Sequence, residues 1–291
     1  MIKKITLFIF ALGLFSSCAK DDKETGSNWE SDYMAAEFEK GGIMFDRFWS
    51  SEAGIALGSD KVEHLQENAD FFRCKQCHAW DGLGSEGSYI SRSPRAYSTG
   101  KGRPNVHSAD LYSMVSNKDP KDLFDKLKTS EGRRSYDTDL TNYDPSDDSN
   151  KVDGDKMPDL SELLTDKEIW NLVKFLRDEM YDVADIFDAE YTGTYPSGSF
   201  SYSNHGLDGN YEVGKSFYEA NCAMCHGEDG LNMIGDDSIG RITREKAYEV
   251  QHKVKYGVLG TPMKGEFDIS IDQMKGLYKY MSDRTVFPDR E

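Results

Sequence analysis

Apolar residues recur at helical spacing in several separate stretches of the chain. From Met34 to Phe48 the set Phe38, Met44, Phe45 and Phe48 predicts an amphipathic helix, softened or broken at Gly41-Gly42 because adjacent glycines weaken a helix interior. Between Ser85 and Met157 the chain is rich in Gly, Ser, Asn and Asp. Only Ser108 to Lys128 reads as helix there, punctuated at Asp119-Pro120, and the rest is expected to be loop. Asp166 to Met180 places Ile169, Trp170, Val173, Phe175 and Leu176 on or near one face. Thr165 stands as N-cap, with Glu168 three residues on. Tyr211 to Asn221 and a segment from Ile271 to about Ser282 read as two further helices. No strand alternation competes, so the expected fold class is mostly α with substantial loop.

The N-terminus follows a different pattern. Lys3 and Lys4 precede the apolar run Ile5 to Phe15, then Ser16, Ser17 and Cys18; the run is too short for a permanent membrane span and reads as an export signal over residues 1–17. Leu14-Phe15-Ser16-Ser17-Cys18 resembles a bacterial lipobox, which implies lipidation at Cys18, a tether over 18–33, and a periplasmic, outer-membrane or cell-surface location. A stretch of Gly, Ser and Pro at 191–208 reads as a linker whose tyrosines pack on a surface. The expected units are therefore 34–190 and 209–291. A net charge of −17 disfavours nucleic acid and anionic membrane surfaces as partners and favours a neutral or basic one.

With Cys18 assigned to lipid, the four remaining cysteines all lie in two copies of C-x-x-C-H, Cys74 to His78 and Cys222 to His226. Two thiols three positions apart can form thioethers to the two vinyl groups of one porphyrin and deliver the adjacent histidine to its iron. A dithiol redox pair or a zinc site would also use C-x-x-C. The trailing histidine in both copies, the export signal and the distance between the pairs favour two haem c groups instead. A methionine beside a proline then precedes each terminal helix: Met157-Pro158 in the first half and Pro262-Met263 in the second.

In this order each half resembles a class I cytochrome c domain. The resemblance implies His78 and His226 as proximal iron ligands, and Met157 and Met263 as distal ones. The interval from His78 to Met157 is roughly twice that from His226 to Met263, which implies an inserted loop in the first unit. Met114, His107 or an open position compete with Met157 there. Gly102-Arg103-Pro104-Asn105 resembles the segment whose proline carbonyl fixes the proximal histidine, a role that falls to Pro104 for His78; the second half has no such proline. Gly41-Gly42 with Phe48-Trp49, the segment Arg73 to Gly82, and Glu249 to Lys253 ahead of Gly260 to Met263 resemble a group of exported bacterial di-haem cytochromes. His252 in that stretch is expected at the surface or near a propionate.

Two charged runs remain. Arg92, Arg95, Lys101 and Arg103 form a basic island that is either solvated or paired with propionates. The acidic run over 137–155 has oxygen ligands at calcium-like spacing without the glycine and glutamate of an EF-hand loop, so it is a calcium candidate or a disordered acidic loop. Two six-coordinate irons make an electron carrier that relays between redox proteins or within a respiratory complex. An open iron in the first unit would make a di-haem enzyme such as a peroxidase.

Overall fold

A computed structural model describes residues 28–108, 110–146, 152–232 and 235–290. The export signal, Cys18 and part of the acidic run (Asp147, Asp148, Asn150) lie outside the described residues. The chain is mostly α-helical: α1 (Trp29–Met34), α2 (Phe38–Arg47), α3 (Ser59–Glu67), α4 (Cys74–His78), α5 (Leu111–Ser116), α6 (Pro120–Lys128), α7 (Asp166–Lys174), α8 (Tyr211–Asn221), α9 (Ala223–His226), α10 (Ile239–Glu245), α11 (Ala247–Tyr256) and α12 (Ile271–Met281).

One arrangement occurs twice. In the first half α2 crosses α7, and in the second α8 crosses α12. Each crossing is close because a glycine sits at it. A methyl group on Gly41 would lie 2.1 Å from the Asn171 carbonyl oxygen, and one on Gly214 would lie 1.9 Å from that of Gly276. The Gly41-Gly42 pair therefore does not break its helix: α2 runs through both residues, and the local loss of propensity is offset by packing. The closing helices start where expected. Thr165 and Glu168 form a reciprocal capping box on α7, as do Ser270 and Gln273 on α12. Beyond Lys174, α7 continues as a single π turn, Phe175–Glu179.

The expected linker differs from its sequence reading. Strands β1 (Asp188–Thr192) and β2 (Ser199–Ser203) pair antiparallel as a hairpin. Its tyrosines hold it to the body, as Tyr195 Oη accepts from the Val106 amide at 3.0 Å and Tyr202 Oη donates to Ser88 Oγ at 2.8 Å. Short alternation flanked by Gly and Pro is too weak a periodic signal to reveal such a hairpin.

Two large apolar cores result, beside a small cluster of Ala79, Tyr89 and Val106. One gathers Phe45, Phe48, Phe72, Ile169, Trp170 and Phe175 with their neighbours; the other gathers Tyr218, Met274, Leu277, Tyr278 and Phe287. Tyr256, from α11 near the end of the chain, belongs to the first core rather than the second.

Candidate functional site

The first C-x-x-C-H forms a single helical turn, α4, anchored to α2 by Arg73, whose Nε donates to the Asp46 carbonyl at 3.0 Å. The turn opens onto a cavity of about 310 Å³, within the size range of pockets that enclose small ligands. Cys74, Cys77 and His78 line it, and so do Met157 and Pro158 from the far loop. Phe45, Phe71, Phe72, Leu123, Leu160, Leu172 and Leu176 supply apolar walls. Desolvation pushes the Cys74 and Cys77 thiols up to about 12 and the His78 imidazole down to about 3. A neutral imidazole keeps a lone pair for a metal.

The residues fit a covalently held porphyrin. The cavity brings together two thiols, one imidazole, one thioether and an apolar lining. His78 Nδ1 is buried without a hydrogen-bond partner. Pro104 therefore does not hold the His78 ring as the sequence resemblance implied. The neighbouring ring is His107 instead, with centroids 6.2 Å apart. His107 also lines the cavity, and its Nε2 is bound to the Asp155 carbonyl. Met114 lines it too, so Met157, His107 and Met114, the three candidate sixth ligands, share one cavity with His78.

What places Met157 is Arg134, which sequence reasoning passed over. Its guanidinium donates to the carbonyls of Lys156 (2.9 Å) and Phe71 (2.6 Å), and its own backbone amide donates to the Met157 carbonyl at 3.2 Å. One buried arginine thus ties the chain before the first motif to the loop carrying Met157. A basic residue in a polar stretch looks like solvated charge, and only its carbonyl partners reveal the role.

The basic island behaves otherwise than one sequence reading had it. Arg92 lies 3.8 Å from Asp70 and stacks on Tyr89, while Arg95 and Arg103 pair through their backbones. None of the island residues Arg92, Arg95, Lys101 and Arg103 lines the cavity. The cations that do are Arg73, Lys118, Lys126, Arg133 and Lys156.

The second motif repeats the first in its backbone. Ala79 and Gly227, directly after each histidine, both have positive φ (61° and 79°). The carbonyl of each histidine accepts the amide six residues on, Gly84 and Asn232, at 3.0 Å in both cases. For the non-glycine Ala79 this conformation is strained, the kind of outlier that concentrates at functional sites. His226 is buried and its Nδ1 lies 3.3 Å from the Asn232 carbonyl, so this carbonyl serves where the proline is missing. The surroundings are more open than in the first half, with Cys225 exposed and Met224 94% exposed.

Met263 lines a different pocket, of about 240 Å³, together with Ile43, Glu52, Tyr256, Leu259 and Phe267. Cys222, Cys225 and His226 do not line that pocket. The loop that carries Met263 lies against the first half, where the Gly260 amide donates to Glu52 Oε1 at 2.8 Å.

Four of the five described carboxylates of the acidic run have protein partners. Asp139 and Asp144 cap turns, Asp153 pairs with Lys156, and buried Asp155 accepts from Tyr143 Oη (2.6 Å) and the Asn105 amide (2.8 Å). Among the described residues no group of three or more His, Cys, Asp or Glu could hold a metal ion.

The cytochrome c family profile matches residues 66–179, and that of cytochrome c oxidase, cbb3-type, subunit III matches residues 209–281. No curated protein and no solved structure gives a significant match to the chain. Each matched segment contains one C-x-x-C-H, and no described helix is long and apolar enough to cross a membrane.

Proposed function

A cytochrome c-type domain in each half makes this chain a cytochrome c-type protein, and we propose on that premise that it holds two haem c groups and relays electrons between redox partners in the cell envelope. The observation that carries the reading is the first cavity, where both thiols, the neutral His78 imidazole and the Met157 thioether line one apolar space. Haem iron bound there supplies reversible one-electron chemistry.

The protein's own residues do the rest. Cys74 and Cys77 anchor one group, Cys222 and Cys225 the other. His78 and His226 are the proximal ligands, with Met157 opposite His78; Met263 stands opposite His226 only if its loop leaves the pocket it shares with Ile43 and Tyr256. The Phe and Leu walls exclude water from the first centre, which favours the less charged reduced state. Arg73, Lys126 and Arg133 offer cationic partners for carboxylates at the cavity edge. The units run over 34–190 and 209–291, with the 191–208 segment between them. Export through the 1–17 signal and a lipid at Cys18 would hold the protein at a membrane. The likeness of the second unit to a cytochrome oxidase subunit supports a respiratory partner or complex. Calcium has no part in this proposal, because the carboxylates at 139, 144, 153 and 155 are already engaged.

The test is intact-mass analysis of protein matured in a host competent for haem attachment, followed by redox titration. Two added haem masses are expected. Met157→Ala and Met263→Ala should each abolish the methionine-to-iron charge-transfer band of one centre and lower its potential. If the reduced wild type binds carbon monoxide stoichiometrically and turns over peroxide, an enzyme with an open iron replaces the carrier.

A further inference from the structure

Two buried polar residues play no part in the proposed haem attachment. His252 belongs to the second half by sequence but is packed among rings of the first. Its imidazole lies 4.6 Å from Trp80, 5.9 Å from Phe45, 5.9 Å from Phe175 and 4.8 Å from Tyr256, between ring centroids. Only 3% of its surface is exposed, so the expectation of a surface or propionate-side histidine is corrected, and ring packing accounts for its place. Asp155 is different. It is 1% exposed, and a carboxylate is costly to bury.

The groups bonded to the Asp155 side chain all donate to it. Oδ1 accepts from the Asn105 amide at 2.8 Å and from Tyr143 Oη at 2.6 Å, and Oδ2 accepts from Asn105 Nδ2 at 3.0 Å. That is the pattern of an ionised, acceptor-only carboxylate. Burial, and then the bond to Asp155, push the Tyr143 hydroxyl well above the ordinary tyrosine value, so it remains a donor. Tyr195 from the hairpin fixes the Asn105 side chain by donating to its Oδ1 at 3.2 Å. Lys156, next in the chain, pairs with Asp153 instead, and the Asp155 charge is held by neutral donors.

The same residue stands between two segments of the first site. Its backbone carbonyl binds His107 Nε2, and the His107 ring lies 6.2 Å from that of His78 between centroids. The His107 carbonyl in turn accepts the Ser85 amide at 2.9 Å, a few residues beyond the first motif. In the other direction the chain runs through Lys156 to Met157, both of which line the cavity. Asp155 therefore ties the segment beside the proximal candidate to the loop that carries the distal one. We propose that Asp155 is a positioning residue that sets the potential of the first haem centre, its buried carboxylate lowering the potential at which that iron takes up an electron. The inference rests on the haem reading of the first cavity. The step is the reduction of ferric iron to ferrous by one electron from an external donor, with no bond made or broken. A fixed negative charge opposes the added electron, and the low dielectric of a buried site makes that opposition stronger than it would be at the surface.

The experiment is a spectroelectrochemical titration of the full-length, haem-loaded protein. The wave missing from a Cys74→Ala/Cys77→Ala protein belongs to the first centre. Asp155→Asn, close to the same shape without the charge, should raise the potential of that wave and leave the other where it stands. Asp153→Asn removes an equal charge two positions away, where the carboxylate is 62% exposed and screened by water, and should move the wave less. Tyr143→Phe keeps the carboxylate but takes away one of the donors that offset its charge, and should move the wave down. Thermal unfolding by circular dichroism shows separately that each variant is folded, and Tyr143→Phe carries the test if Asp155→Asn is not. An Asp155→Asn wave at the wild-type potential, or a shift no larger than that of Asp153→Asn, overturns the proposal while leaving both haems in place. So does a Tyr143→Phe wave that stays or rises. A bare polypeptide by intact mass overturns the haem reading and this inference with it.

Discussion

Arg134 and His252 show how much single buried polar residues decide in this protein. Arg134 is 3% exposed and satisfies two carbonyls that have no other partner close by in the chain's local structure. Arg134→Ala should leave both unpaired and lower stability by about 2–5 kcal/mol. On the proposed ligation by Met157, it should also weaken the methionine-to-iron band of the first centre, because the Met157 loop loses its tie to the motif. Chemical denaturation and the visible spectrum check the two effects separately.

His252 gives a pH signature. Its folded value of about 3 lies below the ordinary histidine value of 6.5, so between those pH values the unfolded chain takes up a proton that the folded protein does not. Stability therefore falls as pH drops through that window. The most this group adds to the slope is about 1.4 kcal/mol per pH unit. The charged groups that bear on the ring, Asp46 from the first half and Lys75 and Lys253, act more weakly than desolvation. Urea unfolding of His252→Phe across pH 6.5 to 3 should give a shallower decline than the wild type, and parallel curves would refute the assignment.

Among the elements, the paired helix crossings organise each half. Gly214→Ala places a methyl group against the backbone of Gly276, which cannot move aside as a flexible side chain would. A destabilisation of about 1–3 kcal/mol is expected, concentrated in the second half. Gly54→Ala is the useful contrast, since nothing lies within 4 Å of an added Cβ there and only its positive φ opposes the change. Comparative melting of the two variants distinguishes crowding at the crossing from backbone strain alone. The capping boxes of α7 and α12 start the closing helices at fixed residues, and each follows the loop that carries a methionine beside a proline.

For the whole molecule, charge and connectivity dominate. An excess of 17 negative charges makes the protein attract a basic redox partner over long range. Bimolecular electron exchange with such a partner should fall by about tenfold or more between roughly 10 mM and 150 mM salt, as screening shortens the field. An acidic partner should show the opposite trend. Stopped-flow kinetics across ionic strength measures the sign directly. Each half also depends on the other, because Tyr256 and the loop following it pack into the first core.

The sequence by itself determined the chemistry and the helical class. Two copies of C-x-x-C-H dictate a local turn that any folded context must accommodate, and periodic apolar faces with capping residues dictate helices at α7, α8 and α12. These signals are local, so a few neighbouring residues suffice to carry them. Only the tertiary structure decided that the Gly41-Gly42 pair is a packing site, that Arg134 holds the Met157 loop, that Asn232 and not a proline serves His226, and that His252 lies in a junction between halves. Each of those depends on a contact between residues distant in the chain. Without that contact a glycine is only flexible, an arginine only soluble and a histidine only titratable.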